Sequence, residues 1–70
     1  MTTDGERSAY QIITMVGTST ESWEKAAASA VEQASKKLQV VGVKVEELDT
    51  HVSNGKIASY GAKLKITVKF

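Results

Sequence analysis

The stretch VVGVKVEELDTHVSNGKIASYGAKLKITVKF, residues 40–70, decides the fold because it places a strand pattern on either side of one turn. Asn54 and Gly55 supply the two positive-φ residues of a type I′ hairpin turn. After the turn, one face of the strand is almost entirely apolar: Ala58, Tyr60, Ala62, Leu64, Ile66, Val68 and Phe70. The other face is mostly polar: Ile57, Ser59, Gly61, Lys63, Lys65, Thr67 and Lys69. This alternation predicts a long hairpin with one buried face.

The strand before the turn changes the parity of its apolar residues. Those of its first half alternate at odd positions: Val41, Val43 and Val45. Leu48 and Val52, further on, have the opposite parity. Because side chains of a strand repeat every two residues, parity changes only where a residue is inserted. We therefore expect a β-bulge near Glu46 and Glu47, which bends the strand.

The segment AYQIITMVG, residues 9–17, predicts the first strand. Both of its faces are largely apolar, which favours burial on two sides, and Gly17 is expected to end it. A helix follows, so the order of elements along the chain is β-α-β-β.

The predicted helix covers residues 20–38. A capping box formed by Thr18 and Glu21 is expected at its start, with Ser19 and Thr20 as competing N-caps. Its apolar stripe has helical spacing: Trp23, Ala27, Ala30, Val31, Ala34 and Leu38. Trp23 opens this stripe, so packing in a core or interface is favoured over stacking on a ligand.

Composition excludes several kinds of site. The chain has 70 residues, no cysteine and one histidine, His51. Disulfides, thiolate zinc sites, cysteine nucleophiles and multi-histidine metal sites within one chain are therefore excluded. A net charge of +1 gives no strong field for nucleic acid or an anionic membrane. No apolar run approaches the roughly 18 residues of a membrane span.

The chain is expected to form one domain over residues 9–70, after a flexible polar arm at residues 1–8. This N-terminus lacks the apolar core of a signal peptide, so the cytoplasm is the expected location. A last strand of about 46 Å would outrun a helix of about 30 Å. Part of the apolar face must then meet another subunit, which predicts a homo-oligomer.

Four residues form an acidic stretch that begins at the expected bulge: Glu46, Glu47, Asp49 and His51. Three of them alternate, and oxygen ligands of this kind suit a hard cation such as Ca²⁺ or Mg²⁺. Their spacing matches no known cation-binding loop, so a solvated strand face is the plainer interpretation. A cation site completed by symmetry copies would not be visible in one chain.

The lysines and the rest of the chain offer no catalytic or nucleic-acid motif. The basic positions of the hairpin are Lys44, Lys56, Lys63, Lys65 and Lys69. No aromatic residues interleave with them, as they do in proteins that bind single-stranded nucleic acid, so a solvated or cross-strand paired face is favoured. No nucleophile has a histidine partner, and VGTST holds one glycine instead of a phosphate-binding set. We therefore expect a protein that is not an enzyme.

The chain resembles the dodecins over residues 10–70. The most specific features are a strand ending in VGTS before an alanine-rich helix, VGTSTESWEKAAASAVEQA, and a closing strand that carries Tyr60 and ends in phenylalanine. The resemblance implies an α+β fold in which a bent, three-stranded antiparallel sheet wraps one helix. It also implies that twelve copies form a hollow shell, in agreement with the oligomer expected from strand length.

In dodecins, pairs of flavins stack against a tryptophan early in the second strand, and a glutamine of the third strand binds the flavin edge. The tryptophan position falls at Gly42 or Val43, with Lys44 beside it, and the glutamine position falls at Gly61. Neither glycine can stack on a ring or donate a side-chain hydrogen bond. The resemblance therefore predicts weakened flavin binding at a pocket formed by these positions.

Trp23 lies in the first helical turn, as in a flavin-poor branch of the family whose members are described as calcium-binding. Three hypotheses follow from the resemblance and stay open. The first is a shell that binds or stores a small ligand other than flavin, with Ca²⁺ or another divalent cation as the candidate. The second is flavin binding in a modified pocket, and the third is a purely structural shell, natural or engineered.

Overall fold

The computed structural model describes residues 9–69 and contains one helix and three strands. In chain order these are β1 (Tyr10–Ser19), α1 (Trp23–Ser35), β2 (Gln39–Ser53) and β3 (Lys56–Lys69). The sheet order is β1-β3-β2 and both pairings are antiparallel, so β3 is the central strand. The predicted α+β fold is confirmed. The expected arm at residues 1–8 and the terminal Phe70 lie outside the described residues.

The hairpin turn between β2 and β3 has the predicted backbone. Asn54 has φ 53° and Gly55 has φ 75°, and Ser53 pairs with Lys56 across the turn. Two consecutive residues with positive φ match the twist of the strands on either side. This local signal therefore fixes the register of the longest strand pair in the molecule.

The pairing of β2 with β3 shifts between Val45 and Glu47, which confirms the predicted bulge. Two further shifts, at Val40/Gly42 and at His51/Val52, were not predicted. The bulges keep the apolar residues of β2 opposite those of β3: Val40 pairs with Val68, Val43 with Ile66, Val45 with Leu64 and Leu48 with Ala62. Opposed residues share a face of the sheet, so the parity change preserves one apolar face along a bent strand.

The helix begins later than expected, and the predicted capping box is wrong. Strand pairing continues past Gly17, because Thr18 pairs with Gly61 and Ser19 with Tyr60. The N-cap is Ser22, whose Oγ accepts a hydrogen bond from the Lys25 backbone N–H at 3.1 Å.

The helix also ends earlier than expected, at Ser35. The next residues form turns whose N–H groups reach back to helical carbonyls, and Leu38 donates to Ala34 at 3.0 Å. At 13 residues, α1 is too short and too polar to cross a bilayer, and it is the only helix in residues 9–69.

The core lies between α1 and β3. Its members are Ala26, Ala30, Ala34, Ala62, Leu64, Ile66 and Val68. The predicted buried face of β3 is confirmed from Ala62 to Val68, whereas Ala58 is exposed. The helix buries Ala26, a residue outside the predicted stripe. Gly17 is buried beside it, and a Cβ there would collide with the carbonyl of Ala26. Small residues on α1 and on β1 thus let the helix lie directly against β1.

Much of the apolar surface is left uncovered in a single chain. The helix spans about 20 Å, whereas the 15 residues of β2 span about 50 Å. Val43, Val45 and Leu48 therefore stay about half exposed although they share the helix-side face. On β1, Ile12 is 62% exposed and Val16 is 64% exposed, so the expected burial of this strand on two sides is not seen within one chain.

Candidate ligand site on the outer face of the sheet

The face of the sheet turned away from α1, here called the outer face, carries the predicted acidic and basic residues. Residues that pair directly in an antiparallel sheet share a face. The outer face of β3 pairs with both neighbours: Thr18 and Asp49 with Gly61, Val16 and Glu47 with Lys63, Thr14 and Lys44 with Lys65, and His51 with Ser59. The register therefore places Glu47, Asp49 and His51 on the same face.

Glu46 and Glu47 are engaged by lysines of β3. Glu46 lies at the bulge and reaches two of them, with carboxylate oxygens 3.7 Å from Lys63 Nζ and 3.3 Å from Lys65 Nζ. Glu47 lies 3.5 Å from Lys63 Nζ. These side chains are partly exposed, so each pair contributes at most about 1 kcal/mol. The central lysines thus form a cross-strand paired face, as expected, and both glutamates already have cationic neighbours.

Asp49 differs from these glutamates. None of the ion pairs within residues 9–69 includes it. Its carboxylate lies over the α-carbon of Gly61, where a Cβ would collide with Asp49 Oδ1. The outer face therefore holds one carboxylate that lies against the backbone of β3 instead of beside a lysine.

Trp23 reaches the Asp49 backbone from the first turn of α1. Its Nε1 donates a hydrogen bond to the Asp49 carbonyl at 2.8 Å. Its ring also packs edge-on against Tyr60, with 5.1 Å between centroids and 75° between planes. This edge-to-face geometry is a favourable aromatic arrangement. Trp23 thus packs within the chain, as the sequence favoured, and it also ties the helix to the strand segment that carries Asp49.

An open cleft of about 530 Å³ lies beside Asp49. Its lining comes from all three strands: Val16, Thr18, Asp49, Thr50, His51, Ser59 and Gly61. The cleft contains two of the four predicted cation ligands, Asp49 and His51, and one of the predicted flavin-pocket positions, Gly61. It does not include Glu46 or Glu47. Sequence reasoning missed Thr18 and Ser59. Thr18 becomes identifiable only once the pairing of β1 with β3 is known, and Ser59 once the pairing of β2 with β3 is known.

The predicted flavin-pocket positions do not meet within one chain. Gly42 pairs with Thr67, six residues along β3 from Gly61, which corresponds to about 20 Å. Val43 and Lys44 lie next to Gly42 at the same end. A Cβ at Gly42 would lie 3.9 Å from Thr67 Cβ, so this position has room for a side chain. A pocket that uses both glycines would have to form between subunits.

The four predicted cation ligands do not converge within one chain either. In the described part of the chain, no three histidine or acidic side chains lie close enough to hold a metal. Alternate residues of a strand are about 6.8 Å apart, so Glu47, Asp49 and His51 are spread along β2. A complete cation site would need further oxygen atoms from water or a second subunit.

Comparison with known proteins assigns the chain to a family. The Dodecin family model matches residues 9–70. Calcium dodecin from Mycobacterium tuberculosis is 38% identical over 63 residues, which cover 89% of each chain. Its crystal structure, described as that of a calcium-chelating antigen with a novel calcium-binding site, aligns with a TM-score of 0.80 at 39% identity. That alignment covers 89% of this chain and 90% of the solved one.

A second solved structure supports the fold. Dodecin from Streptomyces davaonensis aligns with a TM-score of 0.89 over 93% of this chain and 97% of the solved one, at 24% identity. Likeness at that identity concerns the fold alone. Taken with the match of the family model over nearly the whole sequence, these alignments show that the chain belongs to the dodecin family.

Proposed function

We propose that this protein is a homo-oligomeric, calcium-binding dodecin that binds or stores cations and is not an enzyme. The observation that carries the proposal is the similarity, across nearly the whole chain, to a protein described as calcium-chelating. The outer face supports it chemically, since Ca²⁺ takes six to eight oxygen ligands and carboxylates are the usual anionic ones. The candidate ligands are Glu46, Glu47, Asp49 and His51.

The uncovered apolar surface supports the oligomer, which we propose to contain twelve copies. Apolar residues are exposed on both faces of the sheet, including Ile12 and Val16 on the outer face and Val45 and Leu48 on the helix side. Monomeric proteins rarely leave extended apolar patches in water. Further copies of the chain packed on these surfaces would remove the apolar side chains from solvent. Association could also bring carboxylates of different subunits together.

Calcium binding is tested by isothermal titration of the chelator-treated protein with Ca²⁺, together with thermal unfolding. At a Ca²⁺ concentration 100 times Kd, ligand linkage adds about 2.7 kcal/mol to the free energy of unfolding. We expect heat of binding on titration, a fall in Tm with chelator and its recovery with Ca²⁺. An unchanged Tm together with a flat titration would remove the calcium proposal.

A planar ligand such as a flavin is the second candidate, because the cleft is large and Gly42 leaves open space on the same sheet face. Against it, the two glycines supply no ring to stack on and no side-chain donor. Bound flavin would give the purified protein a visible absorbance band. Quenching of riboflavin fluorescence at micromolar protein would favour this candidate over calcium.

A further inference from the structure

We propose that β1 of one copy of this chain packs, through its outer face, into an apolar groove that lies between α1 and β2 of a second copy. The floor of the groove is a row of exposed apolar residues on the helix side, here called the β2 strip: Val43, Val45, Leu48, Val52 and Ile57. The inference rests on the proposed oligomer and names the two surfaces that meet in it. It is independent of the ligand that the assembly binds.

The groove forms because α1 lies towards the β1 side of the sheet. The missing Cβ of Gly17 lets the backbone of Ala26 approach β1, while the part of the β2 strip beside the helix stays about half exposed. Ala27 and Val31 follow Trp23 at spacings of four residues, so they share the side of α1 from which Trp23 reaches β2. Apolar side chains therefore line both the floor and one wall of the groove.

The β2 strip continues past the start of the helix. Trp23, the first residue of α1, contacts β2 ahead of Val52 and Ile57, which lie further towards the turn. Strict alternation would put Ile57 on the outer face with Ser59, but the last register shift pairs Ile57 with Val52 and returns both to the helix side. Both are about half exposed, and no element of residues 9–69 covers them. This part of the strip is therefore available to a second chain.

The outer face of β1 offers the surface that matches the groove. Ile12 and Val16 are the most exposed large apolar side chains within residues 9–69. None of the ten residues of β1 is charged, and the β2 strip holds no charged residue either. Burying an unpaired charge is costly, so two uncharged surfaces suit each other. The lysines of β3 beside β1 would lie at the rim of such a contact.

The two edges of the sheet differ in their protection against other strands. The edge strand β2 has three register shifts and carries Lys44, Glu46, Glu47 and Asp49. The edge strand β1 has no register shift and no charge. Charges and bulges are the usual means by which edge strands avoid contact with other chains. An edge that lacks both is typical of a strand that is covered in the assembled protein.

The cover has to come from a second copy. The β2 strip and the exposed residues of β1 lie on opposite faces of one sheet, so they cannot meet within one chain. Each copy would therefore give β1 to one neighbour and receive β1 from another, a head-to-tail contact that closes into a ring when the rotation allows it.

The exposed area is large enough for such a contact. The chain is elongated, 63 × 20 × 13 Å, and exposes 5235 Å². A compact monomer of 7.5 kDa would expose about 4,200 Å². The surplus of about 1,000 Å² is comparable with the roughly 800 Å² that each partner buries in a protein interface of standard size.

The first test places one lysine in each surface. Val16→Lys alters β1 and Val45→Lys alters the groove floor; both positions are about half exposed or more in a single chain, so the fold should survive. In the proposed contact each lysine would be buried without a partner, so assembly should require at least about a hundredfold higher protein concentration. Ala28→Lys adds the same charge to an exposed position of α1 and should assemble like the parent. Light scattering over a dilution series measures assembly, and circular dichroism checks the fold.

The second test restores a charge pair across the contact. Val16→Glu alone should weaken assembly as Val16→Lys does, whereas Val16→Glu combined with Val45→Lys puts opposite charges on the two surfaces. Because the two positions lie on opposite faces of the sheet, these charges can pair only between copies. We expect the double variant to assemble at least about tenfold more tightly than either single variant.

The possible failures are distinguishable. Assembly of Val16→Lys or of Val45→Lys like that of the parent would overturn the inference, and so would a double variant that assembles no better than its single variants. Those results would leave the oligomer itself in place. A parent protein with the mass of one chain at every concentration would overturn the proposed function as well.

Discussion

The two faces of the sheet differ in the side chains that β3 contributes to them. On the helix side, β3 buries Ala62, Leu64 and Ile66 completely beneath a helix of small residues. On the outer face, the intervening positions carry lysines paired with glutamates and a glycine covered by a carboxylate. Alternation along one strand thus separates the buried packing face from the face that carries the candidate ligands. Substitutions on the helix side should change stability, and those on the outer face should change ligand affinity.

The largest effect expected is that of Leu64→Ala. Leu64 is fully buried, and removing a buried leucine side chain costs about 2–5 kcal/mol. The neighbouring Lys65→Ala, on the outer face, should cost about 1 kcal/mol or less. Urea-induced unfolding at one fixed protein concentration measures both. Equal losses of unfolding free energy for the two variants would show that the helix-side face does not contribute more to stability than the outer face.

Gly17→Ala should have the next largest effect. The added methyl group meets the backbone carbonyl of Ala26, which cannot move without shifting α1, so overpacking should cost about 1–3 kcal/mol. Gly42→Ala is the matched control in an open position of the same sheet and should change the unfolding midpoint little. A Gly17→Ala protein as stable as the parent would mean that the helix lies further from β1.

These comparisons also show what sequence could and could not predict. The turn at Asn54-Gly55 and the alternation of β3 are local patterns, and the bulge near Glu47 follows from a parity change along one strand. The helix start was missed because β1 continues through Thr18 by pairing with Gly61, and pairing is a property of two distant segments. The contacts of Asp49 with Gly61 and Trp23 also join distant segments, through the register of β2 on β3 and the packing of α1. Sequence could therefore list the acidic residues but not separate Asp49 from its neighbours.

Ser22→Ala tests the corrected helix start. Loss of an N-cap hydroxyl costs about 1 kcal/mol, so the unfolding midpoint should fall modestly. Thr18→Ala, at the cap position that the sequence favoured, removes no helix cap and is the control. A greater loss of stability for Thr18→Ala than for Ser22→Ala, measured by thermal unfolding, would restore the original capping box.

Glu46→Gln should have the smallest effect on stability. It removes both ion pairs of a partly exposed carboxylate, so the free energy of unfolding should fall by less than about 1 kcal/mol. Screening weakens such pairs, so the difference from the parent should shrink further as salt is raised. A large loss that persists at high salt would mean that the bulge at Glu46 stabilises the sheet through more than charge.

Native mass spectrometry of the protein with Ca²⁺ tests the central claim most directly, because it reports the number of subunits and the retained ions together. The proposed function predicts a homo-oligomer of twelve copies of the 7.5 kDa chain that carries Ca²⁺. A species with the mass of one chain, or an oligomer that retains no Ca²⁺, would contradict it.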